Sequence, residues 1–168
     1  MFDSEIKITG KHASYIKFLA KKTTELNKDF SGAAIFKRYV DVYMAGAIIG
    51  LAKKRKADID NSVDDTATIF DAAVIGEQSN LKFIYRLVIM LNDPGLSNDE
   101  KVDMAFRYDT DAEKVKAGMQ IFNSYARGGI EWLYEKFTEG ITTKEDYLQK
   151  IAEVVSEFKQ DYIESYNG

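Results

Sequence analysis

The chain has 168 residues, of which 45% are hydrophobic and 30% charged, with a single proline and no cysteine. This composition is typical of one folded globular domain and excludes a disordered polymer, a disulfide scaffold and any site built on cysteine. Because a chain without cysteine fits a reducing compartment, we expect a cytoplasmic protein that folds as one domain over residues 1–168.

The formal net charge of −4 conceals an asymmetry along the chain. Residues 1–57 hold twelve Lys or Arg and five Asp or Glu, a charge of +7, whereas residues 58–168 hold eleven and twenty-two, a charge of −11. Such an asymmetry is typical of a basic binding face, of two parts of a fold that attract each other, or of head-to-tail oligomers. The sequence leaves these three interpretations open.

Helical periodicity dominates the sequence and predicts an all-α fold, a compact bundle of about six helices. Only the short segment "EIKIT", residues 5–9, alternates as a half-buried strand would. A first helix is predicted over His12 to Leu26. Its outer face would carry Lys11, Lys17, Lys21 and Lys22.

A second helix is predicted from an N-cap at Ser31 to about Lys56. It is apolar on all sides between Val42 and Ala52, a run far shorter than the roughly 20 residues that cross a bilayer. We therefore expect a core helix, no membrane partner and, since no apolar run of signal length opens the chain, no secretion signal. Gly46 and Gly50 share one face of this helix and predict the close approach of another.

The polar stretch "ADIDNSVDD", residues 57–65, predicts a loop in which Asp64 or Asp65 caps the next helix. That helix would include Ile69, Phe70 and Ala73. We expect "IGEQSN", residues 75–80, to interrupt it before the apolar helix over residues 81–91.

The segment "NDPG", residues 92–95, predicts a turn, and Ser97 with Glu100 forms a capping box for a short helix that ends near Tyr108. A long helix should follow from Thr110 to Phe137, with a kink or break at "RGG", residues 127–129.

Gly140 has the position of a C-cap, and "TTKE", residues 142–145, predicts a capping box for the last helix. In that helix Ile151, Val155, Phe158 and Tyr162 recur at heptad-like spacing. This stripe would pack on the core or pair with a second copy, and the latter predicts a homo-oligomer.

The residue content and motifs of the chain exclude several kinds of functional site. His12 is the only histidine, which excludes HExxH and the paired histidines of di-iron sites, and a lone histidine near a helix start is typical of a structural role rather than of a Ser-His-Asp triad. "TGKHAS", residues 9–14, lacks the first glycine and the Ser or Thr of a phosphate loop, and the acidic loop has Val63 and Ile69 where an EF-hand requires glycine and glutamate. We expect no metal and no cofactor, and a structural role for His12.

Two features of the 127–139 region remain as candidates. Glu131, Glu135 and Glu139 lie on one helical face, and we interpret them as an exposed face rather than half of a metal or acid/base site. Arg127 beside the paired glycines would suit a phosphate or a carboxylate. We favour the alternative in which it bridges helices through Glu131.

Lys53, Lys54, Arg55 and Lys56 form the most concentrated charge in the chain. Cations at a helix C-terminus complement its macrodipole, each by about 0.3–1 kcal/mol, but one or two charges suffice. The excess predicts a nucleic-acid or phosphate-binding site of Lys53, Lys54, Arg55 and Lys56 in a basic N-terminal third that would contact nucleic acid, and Arg127 is a further candidate for the same role.

The segment "DVYMAGAIIGLAKKRK", residues 41–56, is an apolar helix that ends in glycine and a basic cluster. Over these sixteen or so residues the chain resembles the small accessory proteins associated with bacterial DNA phosphorothioation, the sulfur-modification defence systems. The resemblance implies a defence-linked accessory protein rather than the modifying enzyme, and it assigns no catalytic residue.

These observations together favour a non-enzymatic accessory protein of a bacterial DNA-directed system, such as phage defence or DNA modification. The alternative is a homo-oligomeric protein-interaction module without a nucleic-acid role. A third hypothesis is an enzyme that uses Arg127 and the Glu131/Glu135 face.

Overall fold

The predicted helical periodicity is realised in the computed structural model, which describes residues 1–20, 35–92, 95–107, 111–141 and 144–162. Of these residues 69% are helical, so the predicted class is confirmed as a mostly α fold with one small sheet. Seven helices lie in the described ranges, where about six were predicted. The elements are β1 (Ile6–Thr9), α1 (Lys11–Leu19), α2 (Tyr39–Ala52), β2 (Thr66–Ile69), α3 (Asp71–Gly76), α4 (Gln78–Leu91), α5 (Asn98–Phe106), α6 (Ala112–Thr138) and α7 (Lys144–Tyr162).

The sheet pairs β1 with β2 in antiparallel register, with Ile6 opposite Ile69 and Ile8 opposite Ala67. The alternation of "EIKIT" therefore marks a real strand. The prediction that Ile69 belongs to a helix is wrong, because Ile69 ends β2 and buries its side chain. Phe70, also predicted within that helix, instead precedes α3 as its N-cap.

The acidic loop between α2 and β2 serves the first helix rather than the next element. The Asp60 carboxylate accepts a hydrogen bond of 2.7 Å from the backbone N–H of Lys11, the first residue of α1. Asp65 accepts hydrogen bonds from Ser14 and Lys17 on the same helix. The prediction that Asp64 or Asp65 caps the following helix is wrong, since a strand begins at Thr66.

Helix α2 is shorter at both ends than predicted. Residues 35–38 are not helical, and the predicted cap Ser31 lies outside the described residues. At the other end the Lys54 N–H donates to the Leu51 carbonyl at 3.1 Å and the Arg55 N–H to the Gly50 carbonyl at 2.8 Å. With Lys54 in the left-handed region at φ 53°, these bonds form a Schellman motif that ends the helix at Ala52.

The interface between α2 and α6 is the most extensive contact between elements. A Cβ added to Gly46 would lie 2.7 Å from the Ala126 carbonyl oxygen, and one added to Gly129 only 1.9 Å from the Gly46 carbonyl oxygen. The close approach predicted for Gly46 and Gly50 is confirmed. Of the kink or break predicted at residues 127–129, the break is wrong, because α6 continues through them. Gly129 instead admits the backbone of α2, and Gly128 admits the Arg55 carbonyl just beyond the end of α2.

The predictions for the remaining elements are mostly confirmed. Ser97 and Glu100 form the capping box of α5, and Gly140 takes a left-handed φ of 70° just beyond α6. The interruption expected in residues 75–80 lies at Glu77, between α3 and α4. Helix α1 starts one residue before the predicted His12. Lys21, Lys22, Leu26, Tyr108, Thr110, Thr142 and Thr143 lie outside the described residues.

Helix α7 packs on its own chain. Ile151, Val154 and Phe158 lie against the core, and the Phe158 ring meets Trp132 of α6 edge to face at 5.7 Å. Val155 of the predicted stripe is instead exposed to solvent. The core-packing interpretation of this helix is therefore confirmed for Ile151 and Phe158.

We expect Gly129→Ala to lower the free energy of unfolding by about 3 kcal/mol, because the new methyl would overlap the Gly46 carbonyl and force two helix backbones apart. Urea unfolding measures the change. Gly76→Ala is the matched control: no heavy atom lies within 4 Å of its Cβ position, so its effect should stay within about 1 kcal/mol and favour stability. Equal effects of the two substitutions would contradict this account of the interface.

Candidate nucleic-acid interface

The predicted cationic cluster, residues 53–56, lies directly across α6. After the Schellman motif the chain crosses Gly128, whose added Cβ would lie 2.2 Å from the Arg55 carbonyl oxygen. The Ala57 N–H then donates to the Ser124 carbonyl at 2.9 Å. The absence of a side chain at Gly128 therefore lets the cluster reach the acidic residues of α6 and α7.

Lys53 is held inside the fold rather than presented to solvent. Its ammonium lies 2.7 Å from Glu157 and 3.0 Å from Asp161, both on α7, and 4.9 Å from the centre of the Phe158 ring. Its side chain is 18% exposed. The hydrogen bond from Lys53 also holds the pKa of Glu157 below its usual value. This lysine therefore fastens α7 to the end of α2.

Arg55 pairs with the glutamates of α6. Both of its terminal nitrogens donate to the Glu135 carboxylate at 2.6 Å, and one also reaches Glu131 at 3.0 Å. The pKa of the guanidinium is raised, chiefly by the hydrogen bond to Glu135, and the pKa of Glu135 is correspondingly lowered. This bidentate geometry is the strongest form of arginine–carboxylate pairing.

Glu131 is the centre of this charge network. One carboxylate oxygen accepts from the Lys11 ammonium at 2.9 Å and from His12 Nε2 at 3.0 Å, while the other accepts from Arg55. Burial acts to raise its pKa, but the hydrogen bonds from Lys11 and Arg55 outweigh burial and the net shift is downward. With its side chain 13% exposed, Glu131 departs from the interpretation of these glutamates as an exposed face, which Glu135 and Glu139 fit because both are exposed.

His12 is fully buried beside Glu131. Burial lowers its pKa, and its Nδ1 atom has no hydrogen-bond partner among the described residues. Its contact with Glu131 joins α1 to α6, which agrees with the structural role expected from the sequence.

Arg127 does not make the helix bridge that we favoured from the sequence. Its Nε donates to the Ala57 carbonyl at 2.9 Å, and within the described ranges no ion pair joins it to Glu131. Burial lowers the pKa of its guanidinium. Arg127 thus anchors the chain that leaves the cationic cluster.

Lys54 and Lys56 remain exposed. Neither makes an ion pair with a carboxylate in the part of the chain that the structure describes. The Lys56 ammonium donates to Asn92 Oδ1 at 2.9 Å and lies 4.7 Å from the centre of the Tyr125 ring, and both partners are uncharged. The structure thus divides the five candidate residues into three that hold the fold together and two that are exposed and make no ion pair with a described carboxylate.

The intramolecular partners favour one of the three interpretations of the charge asymmetry, that of two parts of the fold that attract each other. Cations of residues 1–57 pair with acids of residues 58–168 at several places, including Lys17 with Asp65 and Arg38 with Glu77. Sequence reasoning missed these pairs because the partners are far apart along the chain. Only the i, i+4 spacing of Glu131 and Glu135 gave a local signal that two carboxylates could meet one arginine.

The described residues contain no group of three or more His, Cys, Asp or Glu side chains arranged to hold a metal ion. Among the helices of these ranges, none is both long and apolar enough to span a bilayer.

Comparison with known proteins identifies a family. The family model for DNA sulphur modification system-associated protein 4 matches residues 6–166. No curated protein and no solved structure matches the chain significantly. The match includes residues 41–56, on which the resemblance found in the sequence is based.

We expect Glu131→Gln to lower the free energy of unfolding by about 2 kcal/mol at neutral pH, because it leaves Lys11 and Arg55 without the shared carboxylate. The same substitution should flatten the acid limb of the stability curve. Since the folded pKa of Glu131 is below its unfolded value near 4.5, its contribution is complete above that pH and is lost as pH falls through the folded pKa.

Urea unfolding at a series of pH values measures both effects. Glu139→Gln, which alters the exposed glutamate at the C-cap of α6, is the matched control and should stay within about 0.5 kcal/mol. An unchanged acid limb in the Glu131→Gln variant would show that this carboxylate does not carry the network.

Proposed function

The chain belongs to the family of DNA sulphur modification system-associated protein 4, and we propose that it is a non-enzymatic accessory factor that contacts DNA through Lys54 and Lys56. The observation that carries this proposal is the conformation of Lys54, which is exposed at a left-handed φ of 53° and has no carboxylate partner among the described residues. Because the factor would work where the DNA is, the proposal includes the predicted cytoplasmic location. It also includes the predicted part in phage defence.

Glycine is the usual residue at the position that Lys54 occupies in a Schellman motif. A residue with a Cβ costs about 1 kcal/mol there relative to glycine. Strained backbone of this kind is found preferentially where a side chain has a task to perform. A lysine ammonium presented to solvent at this point suits a contact with a phosphate group.

Lys56 supports the same surface. Asn92 and the Tyr125 ring hold its ammonium in place without neutralising it, so the charge is positioned for an anion. Lys53, Arg55 and Arg127 contribute by fixing the backbone that carries the two exposed lysines. Two phosphate contacts give weak, sequence-independent and salt-sensitive binding, as is suitable for an accessory component.

The enzyme hypothesis receives less support from the same residues. Glu131 is occupied by Lys11, His12 and Arg55, and its lowered pKa makes it a poor base near neutral pH. Arg127 donates to a backbone carbonyl rather than facing an open pocket with a carboxylate. We therefore propose a binding role rather than a catalytic one.

A second candidate is self-association through α7. Leu148 and Val155, seven residues apart on this helix, are both exposed and form a short apolar stripe. Light scattering after size exclusion should then give a mass above that of one chain, and Val155→Glu should restore the monomer. A monomer at every concentration of the unaltered chain would contradict self-association.

For DNA contact we expect salt-dependent binding of a short fluorescein-labelled duplex, measured by fluorescence anisotropy. In the Lys54→Ala/Lys56→Ala variant the slope of log affinity against log salt should fall by about two, one for each lost phosphate contact. Lys54→Gly and Lys54→Ala should weaken DNA binding equally. Only the glycine variant should be more stable to urea, by about 1 kcal/mol, because it relieves the left-handed backbone.

Lys116→Ala is the matched control, an exposed lysine of α6 about 18 Å along the helix from Gly128. It should leave both affinity and salt slope unchanged. No binding at low salt, or equal losses in the control and the double variant, would contradict a DNA contact at Lys54 and Lys56.

A further inference from the structure

A large apolar groove runs between α2, α4, α6 and α7. Its volume is about 1270 Å³, and its deeper wall includes Leu133 and Phe137 of α6. Three lining side chains are substantially open to solvent: Ile48 is 42% exposed, Leu91 60% and Val155 62%. Exposed apolar side chains that converge on one groove mark an interaction site more strongly than scattered ones.

The charge of the groove has one sign. Lys54, Lys56 and Lys159 line it, and no carboxylate does so among the described lining residues. Lys54 and Lys56 follow the end of α2, and Lys159 lies two residues from Glu157, which Lys53 draws to that same end of α2. The three lysines therefore lie toward one end of the apolar groove.

We propose that this groove binds an amphipathic helix of a partner protein, with the apolar face of that helix in the groove and acidic side chains at one of its ends against Lys54 and Lys56. The volume exceeds the roughly 300–1,000 Å³ of ordinary small-ligand pockets. The exposure of Ile48, Leu91 and Val155 describes an open trough rather than the enclosed tunnel that a lipid chain needs. An apolar trough between helices is the established geometry for helix-in-groove recognition.

The position of the lysines also orients the partner helix. Acidic residues are most favourable in the first turn of a helix, where they complement its macrodipole. We therefore expect the N-terminal turn of the partner to lie beside Lys54 and Lys56, with leucines spaced i, i+3, i+4 and i+7 behind it. This inference does not depend on DNA binding, since the apolar contacts involve other residues.

The test uses a fluorescein-labelled helical peptide with that leucine spacing and glutamates in its first turn, titrated with the full chain in the absence of DNA. A second peptide carries lysines in place of the glutamates. We expect the acidic peptide to bind at least about tenfold more tightly than the basic one, with the difference reduced by Lys54→Ala/Lys56→Ala.

Leu91→Glu should weaken the acidic peptide by about tenfold or more, because it places a charge in the apolar contact. Phe83→Glu is the matched control, an equally exposed apolar residue on α4 that does not line the groove. Its affinity for the peptide should equal that of the unaltered chain.

Several results would overturn the proposal. Equal binding of the acidic and basic peptides would show that the lysines do not select an acidic helix. Equal effects of Leu91→Glu and Phe83→Glu would show that the peptide does not bind in the groove. A dimer that Leu91→Glu dissociates would identify a second copy as the occupant, and stoichiometric binding of oleate without peptide binding would identify a lipid. If the peptide binds and the duplex does not, only the proposal of a DNA contact is contradicted. If the duplex binds and the peptide does not, only the proposal of helix binding in the groove is contradicted.

Discussion

The close contact between α2 and α6 is the constraint on which the rest of the structure depends. Gly46 and Gly50 of α2 lie against the backbone of Tyr125, Ala126 and Gly129 of α6 at distances that leave no room for a Cβ. Without side chains between them, the two helices present their flanking apolar residues to one shared core, of which Tyr43, Phe122 and Ile130 are fully or almost fully buried members. The same approach fixes where the chain goes when α2 ends, because the Arg55 carbonyl passes directly over Gly128.

That path determines how the charges of the chain are used. It brings Arg55 into contact with Glu131 and Glu135, and Lys53 into contact with the acids of α7. Part of the cluster that the sequence predicts to be a binding surface therefore forms ion pairs that join the helices. Exposed ion pairs contribute at most about 1 kcal/mol each, so their number matters less than the burial of Glu131. This carboxylate joins α1, α6 and the cationic cluster in one network.

The features that could be predicted from the sequence are the local ones. The capping box of Ser97 and Glu100 spans four residues and was visible, as was the small-residue face of Gly46 and Gly50. Gly128 and Gly129 were interpreted as a kink or break because the backbone segments that pack against them lie some seventy to eighty residues away in the chain. Strand β2 was missed for a related reason, since a four-residue strand is defined by its pairing with β1 rather than by its own pattern. The candidate site shows the same difference between local and distant features. Its consecutive cations could be recognised from the sequence, whereas the distant acids that pair with Lys53 and Arg55 could not.

Lys54 and Lys56 enter both proposed interactions, so DNA and an acidic helix would be competitors for them. A helix seated in the groove would cover the two ammonium groups with its own carboxylates and remove the charge that attracts phosphate. Such coupling is reciprocal, so DNA would weaken the helix by the factor by which the helix weakens DNA. Because the apolar groove adds contacts that DNA cannot make, the helix would displace DNA from Lys54 and Lys56 as the concentration of the helix rises. An accessory factor with this arrangement would release DNA when its partner arrives, and its weak phosphate contact suits it to that exchange.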